Sequence, residues 1–213
     1  MMLEEDNILQ EDDSLKEYKR IKATETEDKQ NAQSKSNKLH SNLRELISWI
    51  LTVVVAVVLA LVLNWYVLIN AEIPSGSMEN TIMTDDKIIG FRLSYLFSDP
   101  DRGDIVIFRN PDNESENYVK RVIGLPGETV RIDNGCIYID GVLLEEDYLK
   151  EDWTLATGPY LFEVPEESYL VLGDNRNNSY DARYWNHTYV EKDKILGKAL
   201  FCYWPLKDFG GLN

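Results

Sequence analysis

Thr129-Val130-Arg131-Ile132-Asp133-Asn134-Gly135-Cys136-Ile137-Tyr138-Ile139-Asp140-Gly141 decides the class of fold. Apolar residues alternate with polar ones on both sides of Asn134-Gly135. Successive side chains of an extended strand point to opposite faces, so each arm can bury one face and wet the other. Asn-Gly suits the two positive φ angles of a type I′ turn, which predicts a two-residue hairpin. Asp140-Gly141 repeats the signal and closes the next turn.

Outward from this hairpin the chain keeps offering short strands. Upstream lie Asp85–Phe91, Arg102–Phe108, with Pro100 and Asp101 supplying turn chemistry before it, and Tyr118–Gly124, a β-branched run with two adjacent cations. Downstream, residues 142–168 are acidic and aromatic and contain Pro159 and Pro165, so little regular structure is expected there. Tyr169–Leu172 returns as a buried strand, and Ile195–Trp204 supplies the last one. Many short strands, frequent turn residues and no long amphipathic helix after residue 71 predict an all-β fold of barrel or sandwich type. No internal repeat is visible.

Ahead of the strands, Leu46–Ala71 runs for 26 residues without a charge. About 20 apolar residues at 1.5 Å rise cross a hydrocarbon core of about 30 Å, so this run is read as a transmembrane helix. Trp49, Trp65 and Tyr66 lie near its two ends, where amphipathic rings prefer the interface. A cleaved leader fits poorly: 45 residues precede the run and no small-residue cleavage pair closely follows it. Lys29, Lys35, Lys38 and Arg44 precede it with no acid among them, which puts the N-terminus in the cytoplasm and everything from Glu72 onward outside. The expected organisation is an acidic, largely disordered cytoplasmic tail over 1–45, a single transmembrane helix over 46–71, and an extracytoplasmic β-domain over 72–213. That domain carries 14 lysines and arginines against 26 aspartates and glutamates, a balance that repels phosphate backbones and excludes nucleic acid as a partner.

The chemistry gathers around Ile73-Pro74-Ser75-Gly76-Ser77-Met78-Glu79-Asn80-Thr81, just beyond the apolar run. Ser77 lies six positions past Ala71, a tether of about 20 Å at 3.3–3.6 Å per extended residue. A serine hydroxyl needs a base to act as a nucleophile at neutral pH. His40 precedes the apolar run, on the wrong side, and His187 sits in a loop-like Asn186-His187-Thr188 stretch. Lys120 is the other candidate, provided burial lowers its ordinary pKa of about 10.4. On a strand, Lys120 shares a face with Val122, and Arg121 shares the other with Val119 and Ile123, so one of the two cations is expected to look inward. Cys136 and Cys202 are compatible with a disulfide or with two buried free thiols, and no Cys/His cluster has metal-ligand spacing, so neither a metal nor a cofactor is expected.

Pro74-Ser75-Gly76-Ser77-Met78 with Thr81, Arg102–Val106, Tyr118–Gly127, and Gly173-Asp174-Asn175-Arg176 with Asn178-Ser179 and Asp181-Ala182-Arg183 are four blocks in fixed order after one apolar segment. In these the sequence closely resembles the type I signal peptidases, serine/lysine proteases of exported proteins, with the single-anchor layout of Gram-positive members. The resemblance implies a signal-peptidase-like β-fold, Ser77 as nucleophile and Lys120 as general base. It also implies an oxyanion hole from the Ser75 hydroxyl and the Ser77 backbone N–H. Ser179 would hydrogen-bond the Lys120 amine, and Arg121, Asp174, Asp181 and Arg183 would form supporting ion pairs of unassigned partnership. The implied substrates are signal peptides with small residues at −1 and −3, lying extended beside a lipid bilayer. Two positions depart from the family pattern: Asn80 stands where proline is common, and Asn177 where aspartate is common. The rival reading is a catalytically silent, membrane-anchored β-domain used for interaction or assembly.

Overall fold

The structure is a computed structural model that describes Arg20, Lys22 and residues 42–212. The tail expected over 1–45 therefore lies almost wholly outside the described residues, as do Lys29, Lys35 and Lys38. Two compact units divide the chain, Met1–Ala60 and Leu61–Asn213. The described residues of the first are helical.

Helix α1 spans Asn42–Tyr66, 25 residues, long and apolar enough to cross a membrane. It ends five residues short of the expected boundary. Val67 closes the last turn by donating to the Leu63 carbonyl, and the chain then enters strand β1 (Leu68–Glu72). Residues 68–72 leave the helix because a partner strand is at hand: β1 pairs antiparallel with β2 (Lys87–Phe91), which buries Ile69.

The remaining strands are β3 (Ile105–Asn110), β4 (Asn113–Gly124), β5 (Thr129–Asp133), β6 (Cys136–Ile139), β7 (Val142–Leu143), β8 (Tyr160–Glu163), β9 (Ser168–Leu172), β10 (Val190–Glu191), β11 (Ile195–Trp204) and β12 (Gly210–Gly211). After α1 the fold is all-β, as expected. An eight-stranded antiparallel sheet runs in the order β1-β2-β11-β3-β4-β9-β10, with β12 on β11. A four-stranded sheet runs β7-β6-β5-β8. Asn134 and Gly135 hold φ of 48° and 74°, and Asp140 and Gly141 49° and 87°, so both dipeptides form the expected positive-φ turns. Residues 142–168, expected to hold little regular structure, add the short β7 and β8 before β9 begins at Ser168.

Alternate residues of β3 serve two apolar clusters. Val106 and Phe108 join one cluster with Val130, Ile132 and Leu170, and Ile105 and Ile107 join the other with Ile69, Met78 and Ile88. This part of the larger sheet is therefore covered on both faces. Its neighbour β4 carries Lys120 opposite Val106 and Arg121 opposite Ile105. Both cations are buried, at 4% and 2% exposure, where only one was expected to look inward. The expectation assumed one wet face, and β4 has none at that point.

Candidate active site

Ser77 is held from both sides of its turn. Ile73 is buried and donates to the Asp86 carbonyl, and Met78, in the 3₁₀ turn Gly76–Met78, is 1% exposed, so apolar packing fixes the turn's ends. The segment after β9 fixes its backbone: Asn175 N–H donates to the Ser77 carbonyl at 3.1 Å, and Asn175 Nδ2 donates to the Gly76 carbonyl at 2.9 Å. Gly173 lies against this contact, and a Cβ there would overlap the Ser77 carbonyl and the Ser179 hydroxyl. Past Met78 the chain turns at Asn80, whose φ is 68°. Asparagine tolerates that left-handed backbone, whereas proline, fixed near −65°, does not. Asparagine at position 80 is therefore compatible with the backbone it occupies. Thr81 and Ile82 N–H both donate to the Met78 carbonyl and keep the turn tight without proline.

Lys120 Nζ lies 2.6 Å from Ser77 Oγ and 3.2 Å from the Val119 carbonyl. Burial pushes its pKa down from 10.5 to about 8, although the charges of Asp181 and Asp174 pull upward; Arg183 pushes it further down. The amine is therefore neutral in an appreciable fraction of molecules near neutral pH. The Ser75 hydroxyl lies 3.4 Å from Ser77 Oγ on the open side. Ser179 is buried, but the hydrogen bond expected from it to Lys120 is not formed. Its hydroxyl faces Gly173 and has no hydrogen-bond partner, while the lysine amine is engaged by Ser77 and Val119.

The supporting charges sort into defined pairs. Arg121 donates twice to Asp174, at 2.9 and 2.7 Å, and once to the Gly103 carbonyl at 2.8 Å. Asp174 also accepts from the Thr81 hydroxyl, which ties the turn after Ser77 to β4. Arg183 pairs with Asp181 at 2.8 and 2.9 Å, and Asp181 accepts the Gly173 N–H at 3.0 Å. A third pair was not anticipated from sequence: buried Arg176 donates to Glu146, which also accepts from the Tyr148 hydroxyl. The Tyr148 ring lies 3.9 Å from the Arg121 guanidinium carbon. Glu146 and Tyr148 sit in the stretch read as irregular, and nothing local marks a partner thirty residues away.

Asn177 explains the second departure. Its Oδ1 accepts from Thr154 and Leu155 N–H, and its Nδ2 donates to Glu151 and to the Asp152 carbonyl. An aspartate accepts but cannot donate, so the amide is the side chain that closes all four bonds. His187 is not brought to Ser77: it is exposed and paired with Asp112 at 2.9 Å. Cys136 and Cys202 are free thiols, the first exposed and the second buried.

An open groove of about 650 Å³ passes over Ser77 and Lys120, between Ile69, Ala71 and Ile73 on one side and Tyr118 and Val119 on the other. Strand β1 is the edge of its sheet, so its outer backbone groups face a partner strand not supplied by the domain. A buried amine of lowered pKa on a hydroxyl, donors beside it and a free strand edge suit acyl transfer on an extended peptide.

Residues 46–204 match the family model for signal peptidase, peptidase S26. A probable signal peptidase I-2 of Synechocystis is 42% identical over 167 residues, covering 76% of this chain and 75% of its own length. A signal peptidase I of Leptolyngbya laminosa is also 42% identical, covering 79% of this chain and 84% of its own length. A crystal structure of a signal peptidase I from Enterococcus faecalis is 37% identical, covers 47% of this chain and 97% of its own, and superposes with a TM-score of 0.42.

Proposed function

This chain belongs to the signal peptidase family, peptidase S26, and on that premise we propose that it is a membrane-anchored serine endopeptidase that removes signal peptides from exported preproteins. The observation that carries the reading is the 2.6 Å approach of a buried, readily neutralised Lys120 amine to the Ser77 hydroxyl. Neutral Lys120 takes the Ser77 proton as Oγ attacks the scissile carbonyl. The Ser75 hydroxyl and the Ser77 backbone N–H receive the oxyanion. Protonated Lys120 then gives its proton to the leaving amine, which leaves an acyl ester on Ser77. Lys120 next activates water, and hydrolysis of the ester frees Ser77. Arg121 with Asp174, and Arg183 with Asp181, act by holding β4, the Ser77 turn and the segment after β9 in one geometry.

Helix α1 serves as the anchor, with the N-terminus cytoplasmic and the β-domain outside. The substrate lies extended along the β1 edge, with small side chains at −1 and −3 facing the narrow groove. Cleavage of a preprotein in detergent by the wild type and by Lys120→Ala tests the reading, with the acyl ester on Ser77 sought by mass spectrometry. A mapped cut in the wild type and none in Lys120→Ala is expected. No cleavage by the wild type, with no acylation of Ser77 by a serine-directed inhibitor, would leave a silent anchored β-domain.

A further inference from the structure

The chain between β7 and β8 forms a strap along which three alternate residues reach the supports of the dyad. Glu146 accepts from buried Arg176 at 3.1 Å, the Arg121 guanidinium carbon stands over the Tyr148 ring at 3.9 Å, and Lys150 pairs with Glu79 at 2.7 Å. Their partners belong to three different elements: the segment after β9, strand β4, and the end of the Ser77 turn. None of Glu146, Tyr148 and Lys150 lines the groove over Ser77 and Lys120. Whatever they contribute to cleavage passes through the residues they hold.

Tyr148 is the member of the strap on which the geometry turns. Arg121 donates to Asp174 and to the Gly103 carbonyl through N–H groups that lie in the guanidinium plane. Such bonds resist sliding within the plane better than swinging across it. A ring centroid 3.9 Å from the central carbon is at van der Waals contact and blocks the swing on its side, and a cation over an aromatic ring is itself favourable. The ring is fixed in turn: its hydroxyl donates to Glu146, which receives Arg176, whose Nε donates to the Gly173 carbonyl at 3.0 Å. Gly173 leads directly into Asp174, which grips Arg121, and Asn175, whose N–H holds the Ser77 carbonyl. The contacts thus close a circuit that joins the strand of Lys120 to the turn of Ser77, and the Tyr148 ring is one of its links.

We propose that Tyr148 is a positioning residue for peptide cleavage: its ring, set against Arg121, holds β4 in place relative to the segment after β9 and so fixes the reach from Lys120 to Ser77. The proposal rests on the reading of Ser77 and Lys120 as nucleophile and base. The ring supplies the restraint and the hydroxyl only orients it, so phenylalanine should serve in its place and leucine, which fills space without a flat face, should not.

The test measures kcat and KM for one preprotein in detergent with the full chain as wild type, Tyr148→Leu and Tyr148→Phe, at a temperature where melting curves show each to be folded. In Tyr148→Leu, kcat is expected to fall by roughly ten- to a hundredfold with KM within about twofold, the mark of displaced reacting atoms. Tyr148→Phe is expected to stay within about threefold of the wild type in both constants. The pH at which the rate levels off should remain near 8 in Tyr148→Leu, because the ring does not shield Lys120 itself. A wild-type kcat in folded Tyr148→Leu overturns this proposal and leaves the dyad standing. Equal losses in the two variants assign the effect to the hydroxyl, and a level-off that climbs towards 10.5 means that water has reached Lys120; either also overturns it. Tyr148→Met replaces a Tyr148→Leu that does not fold, and failure of both to fold assigns the ring to the fold and not to the reaction, against the proposal. No cleavage by the wild type overturns the dyad and this inference with it.

Discussion

Lys120 and Arg121 are neighbours on β4, each nearly removed from water, yet one amine approaches a hydroxyl and the other side chain grips a carboxylate. Burial acts on the two cations differently. Arginine stays charged in proteins, so its burial demands a counterion, and Asp174 supplies two hydrogen bonds. Lysine can give up its proton instead, and the pKa near 8 reflects that.

Cleavage should rise with pH as Lys120 loses its proton. With a pKa of about 8, roughly one-tenth of the amines are neutral at pH 7. The rate constant kcat/KM should therefore climb nearly tenfold per pH unit below that value and level off above it. A pH–rate profile on a peptide free of titrating groups checks this.

Stability carries the same signature with a definite sign. The folded pKa lies below the unfolded value of 10.5, so between about 8 and 10.5 the unfolded chain binds more protons, and stability rises with pH in that window. Below it the cost of burying a charged amine is fully present. Lys120→Met, which should abolish cleavage, should also stabilise the domain by on the order of 3 kcal/mol at neutral pH. That advantage should shrink as pH passes 8 towards 10.5, which thermal melts at several pH values measure.

Ser75→Ala should slow turnover by about 10²–10³-fold without ending it, the usual loss for one oxyanion-hole donor. The fall should appear in kcat with little change in KM, because the donor acts on charge that develops only in the transition state. Steady-state kinetics on a soluble peptide separate the two constants.

Removing one side of the Arg121–Asp174 pair should be costly in a way that replacing an exposed charge is not. Asp174→Ala strands a buried guanidinium, and such losses run to about 3–5 kcal/mol. Arg121→Lys keeps the charge but not the fork that bonds both carboxylate oxygens, so it too should lower the melting temperature and the rate together. By contrast, neutralising Lys87, which faces Glu72 at 3.9 Å near the surface, should change stability by less than about 1 kcal/mol.

What was legible in the sequence was what local chemistry determines. Asn134-Gly135 and Asp140-Gly141 announce positive φ wherever they occur, and the apolar periods of β5, β6 and β11 follow from burial of one face. The end of α1 was not legible, because Leu68–Glu72 is apolar enough to continue a helix and is claimed by β2 only once the chain has folded. Ser77 and Lys120 were visible through the blocks that contain them. Glu146 and Tyr148 were not, since a buried ion pair is defined by its partner, and Arg176 lies in a different segment. The two departures at Asn80 and Asn177 looked like losses in the sequence, yet each side chain suits its place. Asn80→Pro should destabilise by more than about 1 kcal/mol through φ, and Asn177→Asp by about 1 kcal/mol through its lost donors, with kcat of the latter nearly unchanged.

Gly173 gives the sharpest test of how the site is held. Its φ lies outside the positive range that favours glycine, so the effect of an alanine there is chiefly steric. The added methyl would press on the Ser77 carbonyl, the acceptor of the Asn175 N–H, and on the Ser179 hydroxyl. Relief requires the Ser77 turn to move away from the segment after β9, which lengthens the reach from Lys120 to Ser77. A shift of about 1 Å in reacting atoms is enough to lose about 10²-fold in rate. Gly173→Ala should therefore lower kcat by that order while the pH at which the rate levels off stays near 8, because Lys120 remains buried. A normal rate in Gly173→Ala would mean that the contact between Asn175 and Ser77 does not position the nucleophile.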